Sequence, residues 1–318
     1  MDKNARFILP GMYEHYGLNF KLLELMKSKP HLFYDNIKVG AVYGNFQFCI
    51  FDGGRIFGQY CHTTKEEMEY VTSVYNDVYG VPVRLIFTNP VIPEKHFKNR
   101  FGQATLEVVN ANPMNEIVVN NPQLEQYIRD NYTNLSFISS TTKCLSNPDD
   151  FKAEISKGTY KMVCLDYNLN KNMKLLQSLD EDLHNQCEFL VNAICPPACP
   201  NRKEHYRLNG LYGLSYGKAY ATQDCPIDGT TCSLSQIKSH NNLTPEEIYN
   251  QYCPQGFINF KLEGRTLGVV ENALDYVRYM VKPEYTWEAL HDLLEDDPGD
   301  KLLNRDQIIL QSSVPKFN

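Results

Sequence analysis

The amino-acid sequence predicts an α/β fold, a parallel (β/α)8-like TIM barrel, on three observations. Between residues 38 and 191, short runs rich in Val, Ile and Phe alternate with longer polar segments of helical period, and strand–helix–strand alternation builds a parallel sheet. The runs are almost continuously apolar, as strands buried on both faces are. No Gly-x-Gly-x-x-Gly turn follows any of them, which weakens the competing open, doubly wound sheet.

The elements follow in order. Residues 18–26 have the pattern of a helix placed before the first strand, which is expected at 39–43. Thr63 and Thr64 each stand three residues before a glutamate, Glu66 and Glu67, and these overlapping capping boxes open a helix with Met68, Val71 and Val74 on one stripe. Gly80 closes it, and the next strand is expected at 83–87. Further strands are expected at 116–119, 135–139, 161–165 and 187–191, with helices opened by Asn121-Pro122 and Asn147-Pro148. A last strand at 258–262 is covered by a helix over 267–282. Residues 1–285 thus form a single barrel domain with a cysteine-rich insertion at about 195–253, and 286–318 a helix and tail.

The strands end alike. Thr88 and Asn89, Asn120 and Asn121, Ser140 and Thr141, Asp166 and Asn192 follow successive runs. In a barrel that end carries the active site, although the same residue types also make turns and helix caps.

Composition narrows the function classes. With 318 residues, 42% hydrophobic and 22% charged, the chain can bury a core and is neither disordered nor fibrous. A net charge of -7 disfavours bulk capture of nucleic acid and leaves room for a local basic groove. The polar start and Phe7-Ile8-Leu9 stopped by Pro10 form no secretory apolar region, and no run reaches the roughly 20 apolar residues that span a bilayer. A cytoplasmic location without membrane contact is expected. The 10 cysteines then point to buried thiols or metal ligation rather than disulfides.

Two local features carry chemistry. Cys195 and Cys199 enclose Pro196-Pro197, and Cys225, Cys232 and Cys253 follow; thiolates so crowded suit zinc or an iron–sulfur cluster, while the plainer alternative is free buried thiols. Lys261, Glu263 and Arg265 alternate at the end of the last strand and share a face, where they either bind an anion or form an ion-pair network. His205 and His240 lie in no paired motif and read as packing residues. The 12% aromatic content includes rings able to stack on bases, but core packing accounts for it. No Gly-x-Ser-x-Gly elbow supports proteolysis, and no heptad announces an interface, so monomer, homo- and hetero-oligomer all stay open.

In this order the features resemble peptidase family U32, the collagenase-like barrel proteins. The resemblance covers roughly residues 38–282 and is carried by Ala41-Val42-Tyr43-Gly44 with Gly54-Arg55, Gly80-Val81-Pro82-Val83-Arg84-Leu85, Asn115-Glu116-Ile117-Val118-Val119-Asn120, and Glu188-Phe189-Leu190-Val191-Asn192 leading to Cys195 and Cys199. Phe260-Lys261-Leu262-Glu263-Gly264-Arg265 is the most diagnostic string. Cys195-x3-Cys199-Pro200-x-Arg202-x2-His205-Tyr206 resembles a short divergent branch.

The resemblance implies a 4Fe-4S cluster on Cys195, Cys199, Cys232 and Cys225, with Cys253, Cys187 or Cys49 as replacements for Cys225 because the family's larger cysteine spacings are not reproduced. It implies Asn192, Lys261, Glu263 and Arg265 around the pocket, and Arg55 reaching in from the first strand. The activity implied is oxygen-independent hydroxylation or related modification of an RNA or a small aromatic ring. The alternative is a non-catalytic scaffold holding zinc or no metal.

Overall fold

Eight parallel strands close on themselves in the computed structural model, which describes residues 4–47, 49–54, 63–215 and 241–295. They are β1 (Ala5–Pro10), β2 (Ile37–Gly44), β3 (Val83–Phe87), β4 (Glu116–Val119), β5 (Ser136–Ser139), β6 (Met162–Cys164), β7 (Cys187–Leu190) and β8 (Asn259–Lys261). Neighbours in sequence are neighbours in space, and β1 pairs with both β2 and β8, so no strand edge is left exposed. The predicted barrel is the observed one.

Helices fill the gaps: α1 (Tyr16–Ser28), α2 (Lys65–Ser73), α3 (Arg100–Asn110), α4 (Pro122–Asn131), α5 (Pro148–Ile155), α6 (Met173–Leu176), α7 (Glu181–His184), α8 (Arg202–Leu214), α9 (Pro245–Glu247), α10 (Val269–Met280) and α11 (Thr286–Leu294). Of the two threonines expected to cap α2, Thr64 does so, accepting from Glu67 N at 3.2 Å while its own N–H donates to Glu67 Oε2 at 2.9 Å. Thr63 accepts instead from Gln47 N. Asn121 and Asn147 cap α4 and α5, with proline at the first helical position.

One expectation is corrected. The first strand is Ala5–Pro10, so residues 39–43 belong to the second strand, and the helix over 18–26 follows the first strand rather than preceding it. Pro10 ends this strand, paired with Tyr43, and the chain stays bonded to β2 through Met12 N to Tyr43 O, 3.1 Å.

Alternation along the strands makes two apolar layers. Outward side chains such as Phe7, Val42, Leu85, Ile117, Phe189 and Phe260 pack beneath the helices, whereas Ile8, Ala41, Tyr43, Ile86, Val118, Ile138 and Met162 fill the interior. Helix α11 is tied to α1 through Lys29 Nζ, 3.0 Å from Glu288 and 2.7 Å from Asp292. Among the described residues no helix is long and apolar enough to cross a membrane.

Candidate active site at the barrel mouth

The barrel interior is not wholly apolar. Arg84 points inward from β3 with no exposure and is held by Glu116, at 2.6 Å, and by Glu188. Glu116 also receives Lys161 Nζ at 2.5 Å. Burial alone would raise Glu116, but Arg84 and Lys161 outweigh it and keep its carboxyl below the usual range. Charged residues this deep are tolerated only when paired.

Lys261 forms the next layer up. Its Nζ lies 3.9 Å from Glu188 Oε1 and 4.1 Å from the centre of the Tyr43 ring, whose hydroxyl donates to Leu262 O. Burial pushes the amine below its ordinary value despite the pull of Glu188.

Above Lys261 a cavity of about 620 Å³, counting its open upper part, sits at the C-terminal end of the strands. Ile86, Val118 and Leu190 form apolar walls, and Thr88, Ser140, Thr141 and Thr142 supply hydroxyls. Thr88 is 1% exposed and its Oγ1 has no hydrogen-bond partner among the described residues. Tyr43, Tyr167, Tyr206 and Cys195 complete the lining with Lys261, Glu263 and Arg265. A concave, mostly apolar site with a few convergent polar groups is what small-molecule recognition requires.

The charged triplet therefore shares one cavity, yet its members are also braced. Arg265 Nη2 lies 2.6 Å from Asp52 and 3.2 Å from Glu14. Glu263 Oε2 accepts from Ile194 N at 2.9 Å. Asn192 grips the Glu263 backbone on both sides, accepting from its N–H at 2.6 Å and donating to its carbonyl at 2.8 Å, and also donates to Asp275. Asn192 is thus a positioning residue for Glu263. Arg55 lies outside the described residues.

A second group surrounds Arg202 on α8. It pairs with Asp166, donates from Nε to Cys144 Sγ at 3.1 Å, and stacks its guanidinium 4.6 Å from the Tyr167 ring centre. Reading the sequence missed this link and the interior network of Arg84, Glu116 and Glu188. The signal for the network was present, since each is a charge inside an apolar strand run.

The cysteines divide between the two ends of the barrel. Cys195 lines the mouth, and the half-buried Cys199 follows after Ala198, which has a left-handed backbone (φ 51°) and donates to Asn168 Oδ1. Cys225 and Cys232 lie outside the described residues. Two of the cysteines named as alternatives to Cys225 stand away from the mouth. Cys187 begins β7, roughly 10 Å along the strand from Leu190 at about 3.3 Å per residue, and Cys253 lines a separate cavity with Arg6 and His184 at the opposite end. Cys49 is buried in the outer apolar layer and does not line the mouth. Burial pushes the thiols of Cys49, Cys164 and Cys187 up to about 12 and that of Cys253 to about 11, as for inert core cysteines. Among the described residues no three His, Cys, Asp or Glu side chains are grouped to hold a metal. Of the pair Cys195 and Cys199, Cys195 alone lines the mouth among the described residues.

No protein-family model matches the chain, and no curated protein matches it. Among solved structures, a U32 peptidase is similar at a TM-score of 0.48 and 13% identity, over 82% of this chain and 93% of that one. At that level the likeness bears on neither family membership nor chemistry.

Proposed function

We propose that the mouth cavity is the active site of a barrel enzyme acting on a small polar molecule seated above Lys261. The observation that carries this reading is the convergence of Lys261, Glu263, Arg265 and the unpartnered Thr88 hydroxyl on one apolar-walled cavity at the end of the barrel where catalytic loops gather. Arg265 and Asn192 hold the frame through Asp52, Glu14 and Glu263. Lys261, whose nearest carboxylate is 3.9 Å away, is the group that meets a substrate. Thermal unfolding of wild type and Lys261→Met with a panel of small carboxylates, phosphates, aldehydes and ketones tests it. At least one compound is expected to raise Tm in the wild type and not in the variant; stabilisation that is independent of Lys261 throughout contradicts the reading.

A second reading is favoured by Cys195, which lines the same cavity. Cys195 and Cys199, with Cys225 and Cys232, would hold an iron–sulfur cluster beside the mouth, supplying electron transfer for an oxygen-independent hydroxylation or related modification of an RNA or a small aromatic ring. Anaerobically purified protein is then brown and contains iron and acid-labile sulfide, and Cys195→Ser bleaches it. Colourless protein containing zinc or no metal contradicts the cluster and leaves the mouth reading intact.

A further inference from the structure

We propose that Lys261 forms a covalent imine with a small aldehyde or ketone bound in the mouth cavity, with Glu188 taking up the amine's proton. The inference rests on the mouth being the active site and names the substrate class that its floor is built to accept.

An imine-forming lysine must be reachable by a carbonyl carbon, uncharged for part of the time, and close to a base. Lys261 projects from β8 into the cavity, and among the described residues its ion-pair contact is with Glu188 Oε1 at 3.9 Å, too long for a hydrogen bond. Glu188 gives its other oxygen to Arg84, while Oε1, without a hydrogen-bond partner among the described residues, faces the amine from β7. The remaining neighbours acting on Lys261 are Cys164 on β6, Arg84 on β3 and Arg265, together with the Tyr43 ring on β2, 4.1 Å away, which favours the ammonium. Burial and the two arginines favour the neutral amine, Glu188 and Cys164 oppose them, and the balance lies below the ordinary lysine value. Exposed Lys65, held by Glu107, shifts the other way. The apolar walls at Ile86, Val118 and Leu190 limit competing water, and Thr88 Oγ1 offers an unclaimed hydroxyl for the carbonyl oxygen.

The chemistry balances without an oxidant or reductant. Glu188 takes one proton from the ammonium, and Nζ attacks the carbonyl carbon, forming a C–N bond as the C=O π pair moves to oxygen. A second proton passes from nitrogen to that oxygen, giving the carbinolamine. Glu188 then returns its proton, the hydroxyl leaves as water, and the nitrogen lone pair closes the C=N bond. In sum, ammonium plus carbonyl gives iminium plus water.

Trapping decides the matter. Native protein is incubated at neutral pH with sodium cyanoborohydride and either glycolaldehyde or pyruvate, digested, and the peptides bearing Lys261 and Lys65 are followed by mass spectrometry. Lys261, held in the cavity beside Glu188, is expected to be alkylated by at least one probe about tenfold or more faster than the exposed Lys65. Glu188→Gln is expected to slow Lys261 and leave Lys65 unchanged; should that variant fail to fold, the ratio within wild type still decides. Alkylation of Lys261 no faster than Lys65 overturns the imine. If a probe raises Tm through Lys261 without being trapped there, the imine fails and the mouth site stands, whereas a panel-wide lack of Lys261-dependent stabilisation removes both.

Discussion

Glu154, near the end of α5, receives Ser139 Oγ, Lys143 Nζ and Lys157 Nζ. Burial would raise its carboxyl, but these donors prevail and hold it at about 2 against an ordinary 4.5. A lowered carboxyl contributes stability that is full above the unfolded value and is lost as pH falls through the folded one. The contribution is on the order of 3 kcal/mol. Urea unfolding of wild type and Glu154→Gln should therefore show a gap at neutral pH that closes as the pH falls from about 4.5 to about 2; a gap independent of pH would contradict the assignment. Lys261 shows the opposite balance, because one distant carboxylate does not offset its burial. Both residues are plain in the sequence. What decides their chemistry is which partners come within reach: those of Glu154 lie close by in the chain, at Ser139, Lys143 and Lys157, whereas Glu188 approaches Lys261 from a distant strand.

At the scale of elements, local chemistry was well legible. Asn121-Pro122 and Asn147-Pro148 open helices as their caps require, and Gly80 adopts the left-handed backbone (φ 65°) that ends the second helical segment. The overlapping boxes at Thr63 and Thr64 were ambiguous, since both satisfy the same spacing; the contact of Thr63 with Gln47 resolves it. Thr64→Ala should thus cost about 1 kcal/mol by chemical denaturation through loss of the cap, with helix α2 showing faster amide exchange at its first turn. Unchanged exchange there would show that the cap is not what fixes this end. The strand Ala5–Pro10 was passed over because a terminal proline reads as a stop, although here it is the strand's last residue and pairs with Tyr43.

Over the whole molecule, closure of the barrel determines what meets what. Alternation placed Lys261, Glu263 and Arg265 on a common face, and the barrel turns that face into a cavity lining. It could not reveal that Arg265 answers Asp52 and Glu14, or that Glu188 and Arg84 lie beneath Lys261, because those partners come from other strands and loops. Nor does proximity in sequence state which end of a barrel a residue occupies: Cys187 and Cys253 lie at the end opposite Cys195. Besides the mouth above Lys261, the cavity lined by Arg6, His184 and Cys253 is a competing place for function. Soaking crystals with small polar fragments, carbonyl compounds among them, and locating each by diffraction compares the two directly. The account predicts that the fragments gather at the mouth within reach of Lys261, Glu263 and Thr88; fragments that fill the Arg6 cavity and leave the mouth empty would contradict it.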